Sequence, residues 1–165
     1  MKKKVRKEQA VGQFIEAAKS YIAKRGTEAE IDGEVVRCAM VIEGRGYDVA
    51  LSCDPKTSRV NCEALICNVF PESKREAVNS FLSAVVTTPG EIGGTIGISK
   101  TARDLTWMTF CQLRKASVIG EALIEEVLTL GVGSFDQTVK QVQQFLFETG
   151  PTINFNNWGI DPKSN

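Results

Sequence analysis

The hydrophobic pattern changes its period along the chain, and each change predicts a new secondary-structure element. Apolar side chains recur at helical spacing over residues 8–25, and Gly26 follows where a helix is expected to end. Alternating apolar and polar residues come next in three segments, over 36–43, 47–53 and 59–66. Because strand side chains point alternately to the two faces of a sheet, these segments predict three strands of an antiparallel meander.

Turn residues separate these elements. Gly44-Arg45-Gly46 supplies the backbone freedom that a tight hairpin needs, and Asp54-Pro55-Lys56-Thr57-Ser58 has the composition of a turn. A polar stretch containing Asp32-Gly33 separates the first helix from the first predicted strand. The meander is therefore expected to have short connections.

The middle of the chain predicts a second helix and a second hairpin. Pro71 suits the first turn of a helix, and Ser73 with Glu76 has the spacing of a capping box. Glycine and proline break the pattern after this helix. Two short extended segments then follow, Thr95 to Ser99 and Leu105 to Leu113, and they predict a hairpin.

The helical period returns from Ser117. Gly131-Val132-Gly133 is expected to interrupt it, and Ser134, with Gln137 three residues later, is expected to cap a separate last helix. Gly150-Pro151 is expected to end that helix.

Together these elements predict an α+β fold in which one antiparallel sheet carries helices on one face. We expect a single domain over residues 1–150 and a C-terminal tail over residues 151–165. A chain of 165 residues can bury a substantial core without disulfides or metals. With 42% apolar and 24% charged residues, its composition favours neither disorder nor a membrane protein.

The charges of the chain balance, since 20 Lys and Arg residues face 20 Asp and Glu residues. This removes the positive field of a protein that binds nucleic acid through its phosphates, so we expect no nucleic-acid partner. The basic run Lys2 to Lys7 is interpreted as a solvated terminus, with an arm that contacts phosphate or a membrane as the alternative. No stretch resembles a secretory signal or a membrane span. We therefore expect a cytoplasmic protein whose five cysteines stay reduced.

The chemical candidates favour binding over catalysis. The chain has no histidine, the side chain most often used for acid–base catalysis near neutral pH. Cys38, Cys53 and Cys62 occupy apolar positions of the three predicted strands, which favours core packing. Cys62 and Cys67 are expected on opposite faces of a strand, and there is no Cys-x-x-Cys pair to begin a zinc site. We expect no enzyme activity, no catalytic site, no metal and no cofactor.

A cluster of glycines offers one alternative. Gly90, Gly93, Gly94 and Gly97 lack the Lys-Ser/Thr pair of a P-loop and lie in the wrong order for a dinucleotide fingerprint. Turn and strand glycines are the preferred interpretation. The alternative function is a small-ligand or nucleotide sensor in which these glycines line an anion site. The acidic residues are expected at helix starts and on solvent faces, with no paired arrangement for acid and base.

The last predicted strand is apolar on both faces. Trp107 shares one face with Leu105 and Cys111, whereas Met108 and Phe110 occupy the other. One face of an antiparallel sheet usually meets water, so a second apolar face indicates a further cover. That cover is the C-terminal tail, a second copy of the chain or a client protein.

The tail over residues 151–165 is also unusually apolar for a linker. It is interpreted first as a cover for the domain's own core and second as a partner-binding segment. The candidate partner-binding residues of the chain are Trp107, Phe110, Phe155 and Trp158.

The order of helix, three-stranded meander, helix, hairpin and helices resembles the type III secretion chaperone-like fold and, within it, the YbjN family of small bacterial proteins. The resembling stretch runs from about Ala10 to Glu148. Residues 69–82 (VFPESKREAVNSFL) resemble the end of the third strand and the central helix of that family. Gly97-Ile98-Ser99, leading to Leu105-Thr106-Trp107-Met108-Thr109-Phe110, is similar to its second hairpin.

The resemblance implies a non-enzymatic protein-interaction module, chaperone-like or regulatory. It also implies that the chain forms a homodimer. Members of the resembling family are expected to hold partly extended client segments against sheet and helix surfaces. It carries over no individual functional residue.

Overall fold

The computed structural model describes residues 2–57, 59–86, 94–99, 104–113 and 119–149. The tail over residues 151–165 lies outside them. The elements are α1 (Lys2–Lys24), β1 (Ala29–Asp32), β2 (Val35–Ile42), β3 (Arg45–Asp54), β4 (Arg59–Ile66), a 3₁₀ turn (Glu72–Lys74), α2 (Arg75–Val86), β5 (Gly94–Ile98), β6 (Leu105–Gln112), α3 (Glu121–Leu128), a π-helical turn (Thr129–Gly133) and α4 (Ser134–Thr149). None of the helices in these ranges combines the length and apolar character needed to span a bilayer.

The strands of the described ranges form one antiparallel sheet of six strands in the order β1-β2-β3-β4-β6-β5. The first four follow the chain, as a meander does. The β5–β6 hairpin joins the meander through β6, whose Leu105 pairs with Ile66 of β4. The predicted hairpin thus continues the same sheet, and β1 and β5 are its edges.

Strand β1 was not predicted, because it lies in the polar stretch before the meander. It pairs with β2 from Ala29 opposite Cys38 to Asp32 opposite Val35. Glu30 and Asp32 are exposed, so the strand has no alternating apolar pattern. Backbone hydrogen bonds at the sheet edge hold it instead. The meander therefore has four strands rather than the predicted three.

The turn between β2 and β3 is tighter than predicted. Glu43 and Gly44 form it alone, with φ angles of +50° and +80°, and Ile42 pairs directly with Arg45. Two successive residues at positive φ are typical of a type I′ hairpin turn, whose twist matches that of the flanking strands. Arg45 and Gly46, predicted as turn residues, consequently belong to β3.

The core lies between one face of the sheet and the helices. Phe14 of α1, Leu51 of β3 and Phe135 of α4 are each fully buried. The alternating buried positions of β2, β3 and β4 all point to this side, as their patterns predicted. Helix α2 closes the end near β5, where the Phe81 ring stacks on Phe145 of α4.

The predicted helix break at Gly131-Val132-Gly133 is wrong, because the backbone continues through it as the π-helical turn. Ser134 has helical φ and ψ angles of −69° and −37°, so it is not an N-cap. A Cβ at Gly131 would lie 2.8 Å from the Cys62 sulfur and 3.1 Å from a Thr109 methyl carbon. The glycine therefore serves close packing of the helix on the sheet rather than termination.

The starts of α2 and α3 also differ from prediction. Ser73, predicted as a cap, lies inside the 3₁₀ turn, and α2 begins at Arg75. Pro71 precedes that turn with extended backbone angles. The predicted helix start at Ser117 lies outside the described residues, and α3 begins at Glu121.

Candidate functional site

The second face of the sheet points away from the helices and carries two rows of side chains that cross the strands. The first row lies in register across all six strands and consists of Glu30, Arg37, Ala50, Glu63, Met108 and Thr95. The second row runs beside it from β2 to β5 and consists of Ala39, Asp48, Leu65, Thr106 and Gly97. No described helix packs on these rows, since Arg37, Asp48 and Glu63 are all exposed.

The two rows line a groove of about 1110 Å³, which we call the sheet groove. Its floor is low because Ala39, Ala50 and Gly97 bring little or no side chain to it. Strands of a sheet lie about 4.8 Å apart, so the groove extends about 24 Å from β1 to β5. An occupant that fills it therefore crosses every strand of the sheet.

Charged groups line the β1–β4 end of the sheet groove. They are the carboxylates of Glu28, Glu30, Asp48 and Glu63 and the guanidinium of Arg37. Within the described ranges none of these five groups forms a salt bridge or a side-chain hydrogen bond, although most ionic groups of the helical side do. Their charge remains available to an occupant, with negative charge in excess.

Apolar side chains flank the groove at its β6 end. Met108 belongs to the first row and is 55% exposed, and Phe110, two residues further along β6, is 45% exposed. The Arg59 guanidinium lies 4.1 Å from the centre of the Phe110 ring. The sequence correctly placed Met108 and Phe110 on the outer face.

Trp107, the other described partner-binding candidate, lies on the helical side of the sheet. Its ring stacks on Phe135 of α4, with centroids 6.0 Å apart and planes inclined by 21°. A Cβ on the neighbouring Gly94 would overlap this ring, so only glycine fits there. The indole Nε1 is buried without a hydrogen-bond partner among the described residues. Its role in partner binding stays a prediction, and the structure does not bring Trp107 and Phe110 to one surface.

Phe155 and Trp158, the remaining two candidates, lie outside the described residues. The same is true of Gly90 and Gly93 in the glycine cluster. Gly94 and Gly97 are residues of β5, in agreement with their interpretation as strand glycines. The alternative hypothesis of an anion site stays untested, because its central residue, Gly93, is not among the described residues.

A buried ionic cluster on the helical side was missed by the sequence. Asp136 of α4 is 2% exposed, and its carboxylate accepts hydrogen bonds from Arg45 at 2.8 and 3.1 Å and from the Tyr47 hydroxyl at 2.6 Å. Lys140 forms a salt bridge of 3.2 Å to the same carboxylate and another of 3.0 Å to Glu43. Asp136 lies in the first turn of α4, as expected of an acidic residue at a helix start, but it is buried and not on a solvent face. The sequence signal that could have indicated this burial is the position of Asp136 next to Phe135, which begins the apolar stripe of the last helix.

Opposing effects set the pKa values in this ionic cluster. Burial raises the pKa of Asp136, but hydrogen bonds from Arg45, Tyr47 and Lys140 outweigh it and lower that pKa below its ordinary value. Burial and the hydrogen bond to Asp136 raise the pKa of Tyr47. The hydrogen bond to Asp136 also raises the pKa of Arg45. The ionic cluster is therefore charged at neutral pH and ties α4 to the β2–β3 hairpin.

The cysteines occupy core positions. Cys38, Cys53 and Cys62 are buried, as their strand positions predicted. Burial raises the pKa of the Cys38 thiol to about 11 and that of the Cys62 thiol to about 12, which keeps both protonated at neutral pH. Across the described ranges, no three His, Cys, Asp or Glu side chains are grouped to hold a metal ion. These thiols suit packing rather than nucleophilic chemistry.

Comparison with solved structures identifies the fold. A chain of the HopA1–SchA chaperone–effector complex superposes with a TM-score of 0.50 at 10% sequence identity, covering 81% of this chain and 97% of that one. The predicted α+β, type III secretion chaperone-like fold is confirmed. A chain of the ExsC–ExsE complex gives a TM-score of 0.47 at 12% identity, covering 84% and 94%. No family model and no curated protein matches the chain.

Proposed function

We propose that this chain is a non-enzymatic, chaperone-like module that binds segments of other proteins on the open face of its sheet. The observation that carries the proposal is the sheet groove, which crosses all six strands beside the exposed Met108 and Phe110. Exposed apolar side chains around a concave surface are typical of protein-interaction sites. The fold likeness agrees with this function, because the similar chain comes from a chaperone–effector complex.

The size and shape of the groove favour a polypeptide over a metabolite. Pockets for drug-sized ligands occupy about 300–1,000 Å³ and enclose most of the ligand. The sheet groove measures about 1110 Å³ and is spread over a whole sheet face. A segment of polypeptide, which is long and needs only one covered side, suits such a surface better.

The non-enzymatic part of the proposal is supported by the protonated core thiols and by the absence of histidine from the sequence. A nucleophilic cysteine needs a lowered pKa, whereas burial has the opposite effect on Cys38 and Cys62. The carboxylates that line the groove are exposed to water.

An array of immobilised peptides from unrelated proteins tests the binding function. The unmodified chain should be retained on a subset of the peptides, and the double variant Met108→Ser, Phe110→Ser should lose most of that retention. Phe147→Ser is the matched control, because Phe147 is 61% exposed but lies on α4, on the helical side. Retention on no peptide, or equal losses in both variants, would refute the proposal, provided that all three proteins unfold at similar temperatures.

The finer parts of the proposal are a homodimer and membership of the YbjN family with a regulatory role. The homodimer is supported by apolar side chains exposed on both sides of the fold, such as Val41 on the sheet and Leu130 in the π-helical turn. Sedimentation equilibrium tests it directly. A mass of one chain at every concentration would remove the homodimer and leave the binding function standing.

A further inference from the structure

We infer that the occupant of the sheet groove is a basic amphipathic segment of another protein, with its cationic side chains over β3 and β4 and its apolar side chains over β6. The inference rests on the proposed function and adds the chemistry of the partner. Two observations carry it, namely the excess of carboxylates at one end of the groove, none of which forms a salt bridge with a described residue, and the exposed apolar side chains at the other.

The floor of the groove at Ala50 is framed by charged side chains. Glu63 and Arg37 lie directly across from Ala50 on its two neighbouring strands, and Asp48 is two residues away on the same strand face. Asp48 and Glu63 are therefore diagonal neighbours on adjacent strands, about 7–8 Å apart at their Cα atoms. A cation above Ala50 is attracted by both carboxylates, whose combined charge exceeds that of the Arg37 guanidinium on the other side.

The charge balance of the groove decides the sign of its partner. Four carboxylates and one guanidinium line it, and even with Arg37 set against its cross-strand neighbour Glu30, three carboxylates remain in excess. Such a field attracts lysine and arginine side chains and repels acidic peptides and nucleic acid. The short side chain of Ala50 leaves room above the floor for a long cationic side chain.

The apolar end fixes the orientation of the occupant. Met108 faces Glu63 across the β4–β6 pair, so apolar surface begins one strand, about 4.8 Å, away from the nearest carboxylate-bearing residue. Beyond it, Thr95 and Gly97 bring only small side chains to β5. A segment with apolar residues next to its cationic ones can thus contact both halves of the groove.

The chain's own tail does not complement the groove in this way. Residues 151–165 hold one lysine and one aspartate, so their charge is balanced. The basic run Lys2 to Lys7 has the required charge but only one apolar residue, Val5. A separate polypeptide that combines both properties fits the groove better than either segment.

Two synthetic peptides of about 16 residues test the inference, a length that spans the groove even as a helix. One carries lysines spaced among leucines and serines, and its twin carries glutamate in place of each lysine. Fluorescence anisotropy at low ionic strength should show about tenfold or greater preference of the unmodified chain for the lysine peptide. In the variant Asp48→Lys, Glu63→Lys the preference should reverse.

The matched control is Glu16→Lys, Glu126→Lys, which changes the net charge equally but on exposed positions of α1 and α3. It should keep the preference for the lysine peptide. Equal binding of both peptides, binding of neither, or a reversal in the control as well as in the groove variant would overturn the inference. A chain that passes the peptide-array test but shows no charge preference would retain the proposed function and lose only this inference.

Binding of the lysine peptide should not depend on the first residues of the chain. A variant lacking Lys2 to Lys7 should keep its affinity within about twofold, since the charges that line the groove are unchanged. A gain of more than about tenfold on deletion would identify the basic run as the natural occupant and overturn the assignment to another protein.

Discussion

The Tyr47 hydroxyl on β3 donates a hydrogen bond of 2.6 Å to the Asp136 carboxylate on α4, and the two residues are 89 positions apart in the sequence. This hydrogen bond is buried. Arg45, on the same strand as Tyr47, donates two further hydrogen bonds to the same carboxylate. Helix α4 is thereby fixed to the β2–β3 hairpin by a charged contact inside the core.

Replacing Asp136 with Asn should lower the free energy of unfolding by about 3 kcal/mol. The substitution removes the negative charge and leaves the Arg45 guanidinium, whose side chain is 14% exposed, without its buried counterion. Urea unfolding at pH 7 measures the loss. Glu125→Gln is the control, because its salt bridge to Arg25 joins side chains that are 59% and 54% exposed. It should cost less than about 1 kcal/mol, and equal losses would contradict a stabilising role for the ionic cluster.

The contribution of Asp136 should disappear in acid. Its pKa in the folded protein is below the ordinary value of about 3.9, so the stabilisation is complete above that value and is lost as the pH falls through the lower folded pKa. The stability difference between the unmodified chain and Asp136→Asn should therefore be constant from pH 7 to about pH 5 and shrink below about pH 4. Urea midpoints measured across this range test the sign. A difference that grows in acid would contradict it.

Gly94→Ala should lower the free energy of unfolding by about 1–3 kcal/mol, because the added methyl would overlap the ring of Trp107. Combining it with Trp107→Leu should cost less than the sum of the two single changes, since the smaller side chain removes the overlap. Gly12→Ala is the opposite control. Nothing lies within 4 Å of a Cβ at Gly12 in α1, so alanine should stabilise that helix by about 0.5–1 kcal/mol. Thermal unfolding of the four variants compares them.

Cys62 should resist alkylation in the folded protein. Its thiol pKa of about 12 leaves little thiolate at pH 8, and the side chain is fully buried. With iodoacetamide, labelling of Cys62 should be at least about a hundredfold slower in the native chain than in urea, as followed by peptide mass spectrometry. Cys67 and Cys111, which are partly exposed, provide internal comparisons. Native labelling of Cys62 at the unfolded rate would contradict the burial of this thiol.

Local pattern predicted the elements that bury one face. Strands β2, β3 and β4 alternate because one side of each meets the core, and that alternation is visible within eight to ten residues. β1 escaped prediction because an exposed edge strand is held by its backbone, which leaves no trace in the side chains. Gly131 misled because glycine marks close approach to a neighbouring element as well as chain termination.

The sheet groove could be predicted only in part. The sequence placed Met108 and Phe110 on the outer face of their strand, but Ala50 and Glu63 become their neighbours only through the pairing of β3, β4 and β6. That pairing joins positions more than 40 residues apart, such as Glu63 and Met108, and no local period encodes it. The contact of Asp136 with Arg45, 91 positions away, escaped prediction for the same reason.

The position of β6 between β4 and β5 makes the groove a property of two distant stretches of the chain. Its carboxylates come from the N-terminal meander, and its apolar end comes from the hairpin that follows α2. If the β5–β6 hairpin separates from β4 in a local unfolding event, the sheet groove loses its apolar end and no longer binds its partner. A molecule that binds only the intact groove stabilises the closed hairpin by thermodynamic linkage. It must therefore slow amide hydrogen exchange along the whole of β6, including residues that it does not contact.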